Sequence, residues 1–431
     1  MQKTKFQILP FSITLFLAIL LGNGSIFADS LELVGSCTTI SSAREVYVID
    51  TIAYVADRGR VTVVNVADPA NPYVMGSTGE ARANNIFVKD TVAYLNSDHT
   101  WFETVSVADP FNPYRLGWCN IGPDGDSKGL VLQDTIVYLT IGWFGIASIS
   151  ISDPASPYLI GKCDTPGDAY DLSMKDSLVY VADGWSLEIY NYADLLNPQH
   201  VGSCSLSLPQ CGIFVRDSFA FLTGGGIGVI NGYLHIVDIS NPLNPIKVAS
   251  AFPIIGGPYD VWLNGDYAYV VALDAEDPIS QKEYYEGGLS VVDISDPLAP
   301  MVIAYCETPG IANGVFVQDT LIYVADWSSL RIYRHIGAGI EEKENSKLKP
   351  GSFELRIKPN PFTKATRLEV RGSSKAQNSS LDIYDASGRL VKSVKLATNH
   401  YQLGADLVPG IYFLKINTGE HSATKKIIKI R

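Results

Sequence analysis

A chain of 431 residues, with 33 Lys and Arg against 45 Asp and Glu, is too long for one ordinary core and carries a net charge of −12. Two domains, or a closed array of repeats, are the architectures such a length admits. The charge is uneven: from Phe353 onward 14 Lys and Arg face 6 Asp and Glu, a balance of +8, which leaves −20 for everything before it. An acidic body excludes nucleic acid as its partner, because phosphate neutralisation takes clustered Lys and Arg. In the basic tail, charges alternate with apolar residues along short strands, the pattern of a solvated sheet face.

The first 28 residues place Lys3 and Lys5 before an apolar stretch from Phe11 to Leu21, with Ile26-Phe27-Ala28 ahead of Asp29. That three-part order predicts a secretory signal peptide cleaved after Ala28. The apolar run falls short of the roughly 20 residues that span a bilayer, and no second such run follows, so the mature chain is expected not to cross a membrane.

From residue 29 to 336 one unit recurs. Asp-Thr or Asp-Ser followed by an apolar run ending in Tyr or Phe stands at Asp50, Asp90, Asp134, Asp176, Asp217 and Asp319, with Gly265-Asp266 in the sixth place. The period of about 40 to 55 residues is that of propeller blades. Each copy holds four short β-branched and aromatic runs bounded by Asp, Gly and Pro, as strands should be. Asp-Pro-x-x-Pro or a near variant separates the third from the fourth run at Asp68, Asp109, Asp153, Asn241 and Asp296, where a proline excludes a central strand. The fourth repeat departs at Asp194-Leu195 but keeps Asn197-Pro198.

The chain opens with a lone fourth-type strand, Leu31 to Cys37, and its last repeat stops after a third-type strand, Leu330 to Ile336. The spare and the missing strand complement each other, which predicts an all-β, seven-bladed β-propeller closed by the N-terminal strand, with no free edges. The runs Gly288 to Pro297 and Leu234 to Pro242 resemble the LVIVD repeat family, over roughly residues 31 to 336. That resemblance implies an extracellular propeller and no particular chemistry.

Residues 337 to 352 read as a linker, and residues 353 to 431 as a small Ig-like β-sandwich. Pro359-Asn360-Pro361-Phe362, Leu381 to Asp385 with Gly388 to Val391, Leu407 to Ile416 with Gly410 and Tyr412, and the basic run Thr424 to Ile430 resemble, in family order, the sorting domain of the type IX secretion system of Gram-negative bacteria. This implies the export machinery as a partner and delivery outside the cell or onto its surface.

Of six cysteines, Cys37, Cys119, Cys163, Cys204 and Cys306 hold one repeat position and read as small buried hydrophobes. Cys211 is the exception, and a Cys204–Cys211 bridge would staple the loop between two blades. The six His are scattered, and neither a nucleophile elbow nor a phosphate loop is present, so no metal or cofactor is expected. Asp57, Asp183 and Asp326 follow second strands, where turn capping outweighs a ring of calcium ligands.

Two constellations stand out. Trp101, Trp143, Trp185 and Trp327 all fall between second and third strands, and the same connection is enlarged at Gly224 to Tyr233 and at Ala272 to Gly288, which carries Tyr284 and Tyr285. Aromatics on long loops of a rigid scaffold suit a face that holds a glycan or a surface protein, against a competing reading in which each Trp packs between blades. The first strands begin with Arg44-Glu45, Tyr170-Asp171 and Tyr259-Asp260 among others, a polar set at the channel mouth. The alternative function is thus a polysaccharide hydrolase or lyase using Glu45, Asp171 or Asp260 in the channel.

Overall fold

The computed structural model describes residues 29–431 apart from 80–82, 97–100, 123–128, 226–230, 274–286, 338–352, 359–365, 373–378, 386–388, 397–399, 404–406, 409, 418–421 and 430–431. The chain divides into two compact units, Met1–Ile336 and Gly337–Arg431. Every regular element in the described residues is a strand.

In the first unit five four-stranded antiparallel sheets accompany one of six strands. The larger sheet is two blades run together. Ser30–Ile49 pairs through Ser30 to Thr38 with Ser329 to Ile336, and through Glu45 to Ile49 with Ile52 to Ala56. One strand therefore closes the last blade and opens the first. Asp29 anchors the start of this strand, its carboxylate 2.8 Å from His335 Nε2 and its N–H donating to the Ile303 carbonyl at 3.2 Å.

The hydrophobic core is a cycle of seven patches, each shared by two neighbouring blades. The aromatic that ends each apolar run of the repeat explains this division. Tyr54, Tyr94, Tyr138, Tyr180, Phe221, Tyr269 and Tyr323 are all buried, each in the patch shared with the following blade, and Tyr323 reaches Val46 and Val55 of the first. Apolar burial thus binds blade to blade, and the last patch returns to the beginning.

Two polar devices repeat around the ring. The Asp of each Asp-Thr or Asp-Ser turn has a φ between 52° and 56°, and Gly265 takes 56° in the sixth copy, a left-handed conformation open to Asp and Gly at little steric penalty. The residue just before that turn reaches the turn carbonyl of the next blade. Lys89 donates to Asp134 O, Gln133 to Asp176 O, Lys175 to Asp217 O, Arg216 to Gly265 O, Asn264 to Asp319 O, and Gln318 to Asp50 O. Fourth-strand glycines supply the second device: a Cβ on Gly35 would stand 2.3 Å from Pro69 O, and one on Gly202 2.3 Å from Pro242 O. At Gly35, Gly76, Gly117 and Gly202 the proline-bounded loop of the following blade presses on this bare backbone, Gly35 of the closing strand receiving the loop of the first blade, whereas Gly161 keeps an ordinary 3.5 Å contact.

The second unit holds two antiparallel sheets. Phe353–Lys358, Thr366–Gly372 and His400–Leu403 form one, and Leu390–Leu396, Ser379–Asp385, Gly410–Asn417 and Ser422–Lys429 the other. Leu368 and Leu403 of the first sheet are buried, as are Leu381, Ile383, Tyr412 and Leu414 of the second.

Candidate functional site

The loops that lead into each blade share a face with the turns between second and third strands, because the two hydrogen-bond to each other. Arg58 N donates to Ser42 O, Ala169 N to Gly142 O, Gln210 N to Gly184 O and Trp327 N to Ile311 O. Buried carboxylates fix two of these loops. Asp57 accepts from Ile40 N, Ser41 N and Thr62 Oγ1, and Asp183 from Thr165 Oγ1 and Gly167 N, while Asp326 accepts from Arg331 Nε of its own strand. Burial pushes Asp183 and Asp326 above the usual carboxylate range. These aspartates tie down loops and turns, and no three His, Cys, Asp or Glu side chains gather as a metal-holding group among the described residues.

On that face the tryptophans stand out in solvent. Trp143 sits in the turn Gly142-Trp143-Phe144-Gly145 and Trp185 directly after Gly184, with the two rings 68% and 63% exposed and Phe144 exposed beside the first. Glycines at φ 60° and 59° shape both turns. Trp327 occupies the place of Gly184 in its own blade, at φ 45°, and remains 41% exposed with the Arg44 guanidinium 5.7 Å from its ring centre. A bulky residue in the left-handed region is a steric outlier. Trp101 departs from the sequence expectation: it opens the third strand Trp101–Ser106 and packs edge-on, at 4.6 Å, against Trp118 of the adjoining strand. Tyr284 and Tyr285 lie outside the described residues.

The channel positions behave differently. In five blades a bulge separates the first two residues of the inner strand, at Arg44, Tyr170, Cys211, Tyr259 and Asn313. The carboxylates that follow accept backbone donors: Asp171 from Leu172 N and, across the blade boundary, Ile213 N; Asp260 from Val315 N of the next blade; Glu45, itself buried, from Val46 N. Two residues further along the inner strands, aromatic side chains form most of a collar around the axis. Phe214, Trp262, Phe316, Tyr47 and Phe87 contact in succession with ring centres 4.3 to 5.3 Å apart, while Val131 and Ser173 hold the equivalent places in the other two blades. In five blades the collar was legible as an aromatic residue three places before the turn Asp or Gly, but reasoning from polar residues at the mouth passed over it. Near the same rim Tyr170, next to Asp168, Cys211 and Tyr259, has its phenol pushed up to about 12, chiefly by burial.

The proposed Cys204–Cys211 bridge is corrected: none of the six cysteines is in a disulfide. Cys204 lies on the outermost strand of blade four, opposite Leu187, whereas Cys211 lies on the innermost strand of blade five. Strands about 4.8 Å apart separate these positions by most of a blade's width. The other five thiols share one register, each opposite a buried apolar residue (Leu330, Phe102, Ile146, Leu187 and Leu289), and burial raises Cys119 to about 11 and Cys306 to about 12.

In the second unit Gly410 begins a strand, and Tyr412 is buried with its hydroxyl donating to Val408 O at 2.9 Å. Pro359, Asn360, Pro361 and Gly388 lie outside the described residues.

Comparison with protein families matches the LVIVD repeat at residues 41–79, 124–165, 213–251, 255–276 and 284–308, and the secretion system C-terminal sorting domain at residues 356–430. No curated protein matches the chain. Among solved structures it is similar to the WD40 β-propeller domain of Doa1 (14% identity, TM-score 0.54, 73% of this chain and 97% of that one). It is also similar to Kuenenia stuttgartiensis hydrazine synthase (10% identity, TM-score 0.53, 69% and 97%) and to the computationally designed Ika8 protein (10% identity, TM-score 0.50, 70% and 99%). At these identities the likeness is one of propeller fold. No helix among the described residues is long and apolar enough to cross a membrane.

Proposed function

We propose that this chain, an LVIVD-repeat propeller exported by a type IX sorting domain to the cell surface or beyond, is a binding protein that uses its tryptophan-bearing face to hold a glycan. The exposure of Trp143 and Trp185, at adjoining blades and on turns held by buried anchors, is the observation that carries this reading. Exposed aromatic planes on a rigid scaffold suit the apolar faces of sugar rings, and they are poorly explained as packing because they touch solvent rather than a neighbouring blade. The sorting domain accounts for delivery and the propeller for retention. Hydrolysis in the channel receives less support, since the carboxylates suggested for it accept backbone N–H groups and five aromatic side chains line the axis below them.

The test is a Trp143→Ala, Trp185→Ala double variant of the full chain, screened against immobilised neutral and acidic polysaccharides. Retention should fall by about tenfold or more, with the melting curve unchanged because neither ring is in the core. Retention equal to wild type would refute the glycan platform, and capture of proteins but not sugars would redirect it to a protein partner.

A further inference from the structure

Beyond the exposed turns, the seam between the closing blade and the first concentrates unsatisfied polarity. Thr39 and Ser42, 6% and 7% exposed, lie on the loop that crosses this seam, and each carries a buried hydroxyl with no hydrogen-bond partner. The Nε atoms of Arg44 and Arg60 are likewise buried and unpartnered. Unpaired buried polar groups are rare and unfavourable, and four in one loop and its neighbouring strand starts call for a function. They stand directly behind the Arg44–Trp327 pair, since Ala43 is in register with both Trp327 and Asp57, and Asp57 with Arg60.

The local charge runs against the rest of the body. Arg44 and Arg60 lie here, within a stretch of chain before Phe353 that carries −20 overall. Of the nearby carboxylates, Asp57 is engaged by the loop backbone and Thr62 and Glu45 by Val46 N, while Asp326 pairs with Arg331 through Oδ2 and keeps Oδ1 buried without a hydrogen-bond partner. The Nε atoms of Arg44 and Arg60 and the hydroxyls of Thr39 and Ser42 are thus left without internal partners beside an exposed indole. Trp327 adds a second sign, because its backbone adopts the left-handed conformation that Gly184 and Gly142 supply in the equivalent turns. A tryptophan kept in a glycine's place keeps strain, and such strain is a marker of function.

We propose that this seam is a subsite for a carboxylated sugar. The pyranose ring lies against Trp327, and its carboxylate is received by Arg44, with Arg60, Thr39 and Ser42 completing the donor set. Guanidinium groups pair with carboxylates through two parallel N–H bonds, and the indole plane takes the ring's C–H face. The proposal rests on the reading of this face as a glycan platform and names the class of glycan it prefers.

The experiment compares the full chain's affinity for an oligogalacturonide with that for its methyl ester, which has the same rings without the charge, and for inorganic phosphate as a bare anion. Wild type should bind the free acid about tenfold or more tightly than the ester and phosphate only weakly. Arg44→Gln should bring acid and ester within about twofold of each other. Trp327→Gly should weaken the acid as strongly while leaving the melting temperature equal or higher, because glycine relieves the backbone. Equal affinity of wild type for acid and ester, or a preference that survives Arg44→Gln, overturns the subsite but leaves the platform standing if both ligands still depend on Trp143 and Trp185. Phosphate that competes as well as the acid overturns its sugar component, and a Trp327→Gly protein of lowered melting temperature shows the indole to be structural. Binding of no saccharide at all fails both readings together.

Discussion

Ile49 breaks a pattern that six other residues keep. Before every other blade turn stands Lys89, Gln133, Lys175, Arg216, Asn264 or Gln318, each donating to the next blade's turn carbonyl, while Ile49 has no donor to offer Asp90. Replacing Ile49 with Lys or Gln should complete the circle and raise stability by about 0.5 to 1.5 kcal/mol, the usual net worth of a hydrogen bond, less whatever the partly buried isoleucine contributed by packing. Chemical denaturation of the single variant decides it, and a lower midpoint would show that packing at Ile49 outweighs the missing bond. This device, like the left-handed Asp turns, could be read from the repeat once the register was known. The tryptophans were legible only in part, because Trp101, Trp143, Trp185 and Trp327 occupy three different places around a turn, and a strand's first residue is not told from a turn's last by spacing alone.

At the level of the loop and strand, blade five shows how a single buried side chain fixes a connection. His235 is fully buried on the third strand Asn231–Asp238, with Nδ1 2.8 Å from Ser250 Oγ and Nε2 3.0 Å from Ser207 O of the incoming loop. Burial holds its imidazole below the ordinary 6.5. The unfolded chain takes up a proton near that value while the folded chain resists, so stability is complete above it and falls as pH drops through it toward the folded value. Unfolding measured across that range should show this loss in wild type and a shallower one in His235→Gln, and identical slopes would assign the acid sensitivity elsewhere. The fourth-strand glycines make a sterner demand. Gly202→Ala puts a methyl carbon 2.3 Å from Pro242 O, a contact with backbone that cannot swing aside. Overpacking of this kind costs about 1 to 3 kcal/mol, and a variant melting like wild type would show that the loop yields. Such glycines look like ordinary strand interruptions in the sequence; their reason lies in the next blade.

Across the whole propeller, the order of strands and the closure of the ring were legible because each blade repeats one apolar grammar and because one strand was spare at the start and one missing at the end. The site was less so. A polar channel mouth suggested chemistry, yet the bulged strand starts direct Asp171 and Asp260 to backbone donors of neighbouring blades. The unpaired donors at the seam come from Thr39, Ser42, Arg44 and Arg60, which the first blade's own pairings bring together, and only their place beside Trp327 depends on the pairing between the two ends of the propeller.

That pairing has a consequence for how the molecule is made. Asn313 donates to the Ala43 carbonyl across 270 residues, and the Ser30 to Thr38 part of the first strand is paired with Leu321–Ile336. The Ser30 to Thr38 segment must therefore wait, unzipped, until nearly the entire wheel exists, and contacts of such separation are the slow ones in folding. During that interval two raw strand borders are available to other chains, so holding the polypeptide apart from its neighbours until the far end arrives is a requirement written into the topology itself.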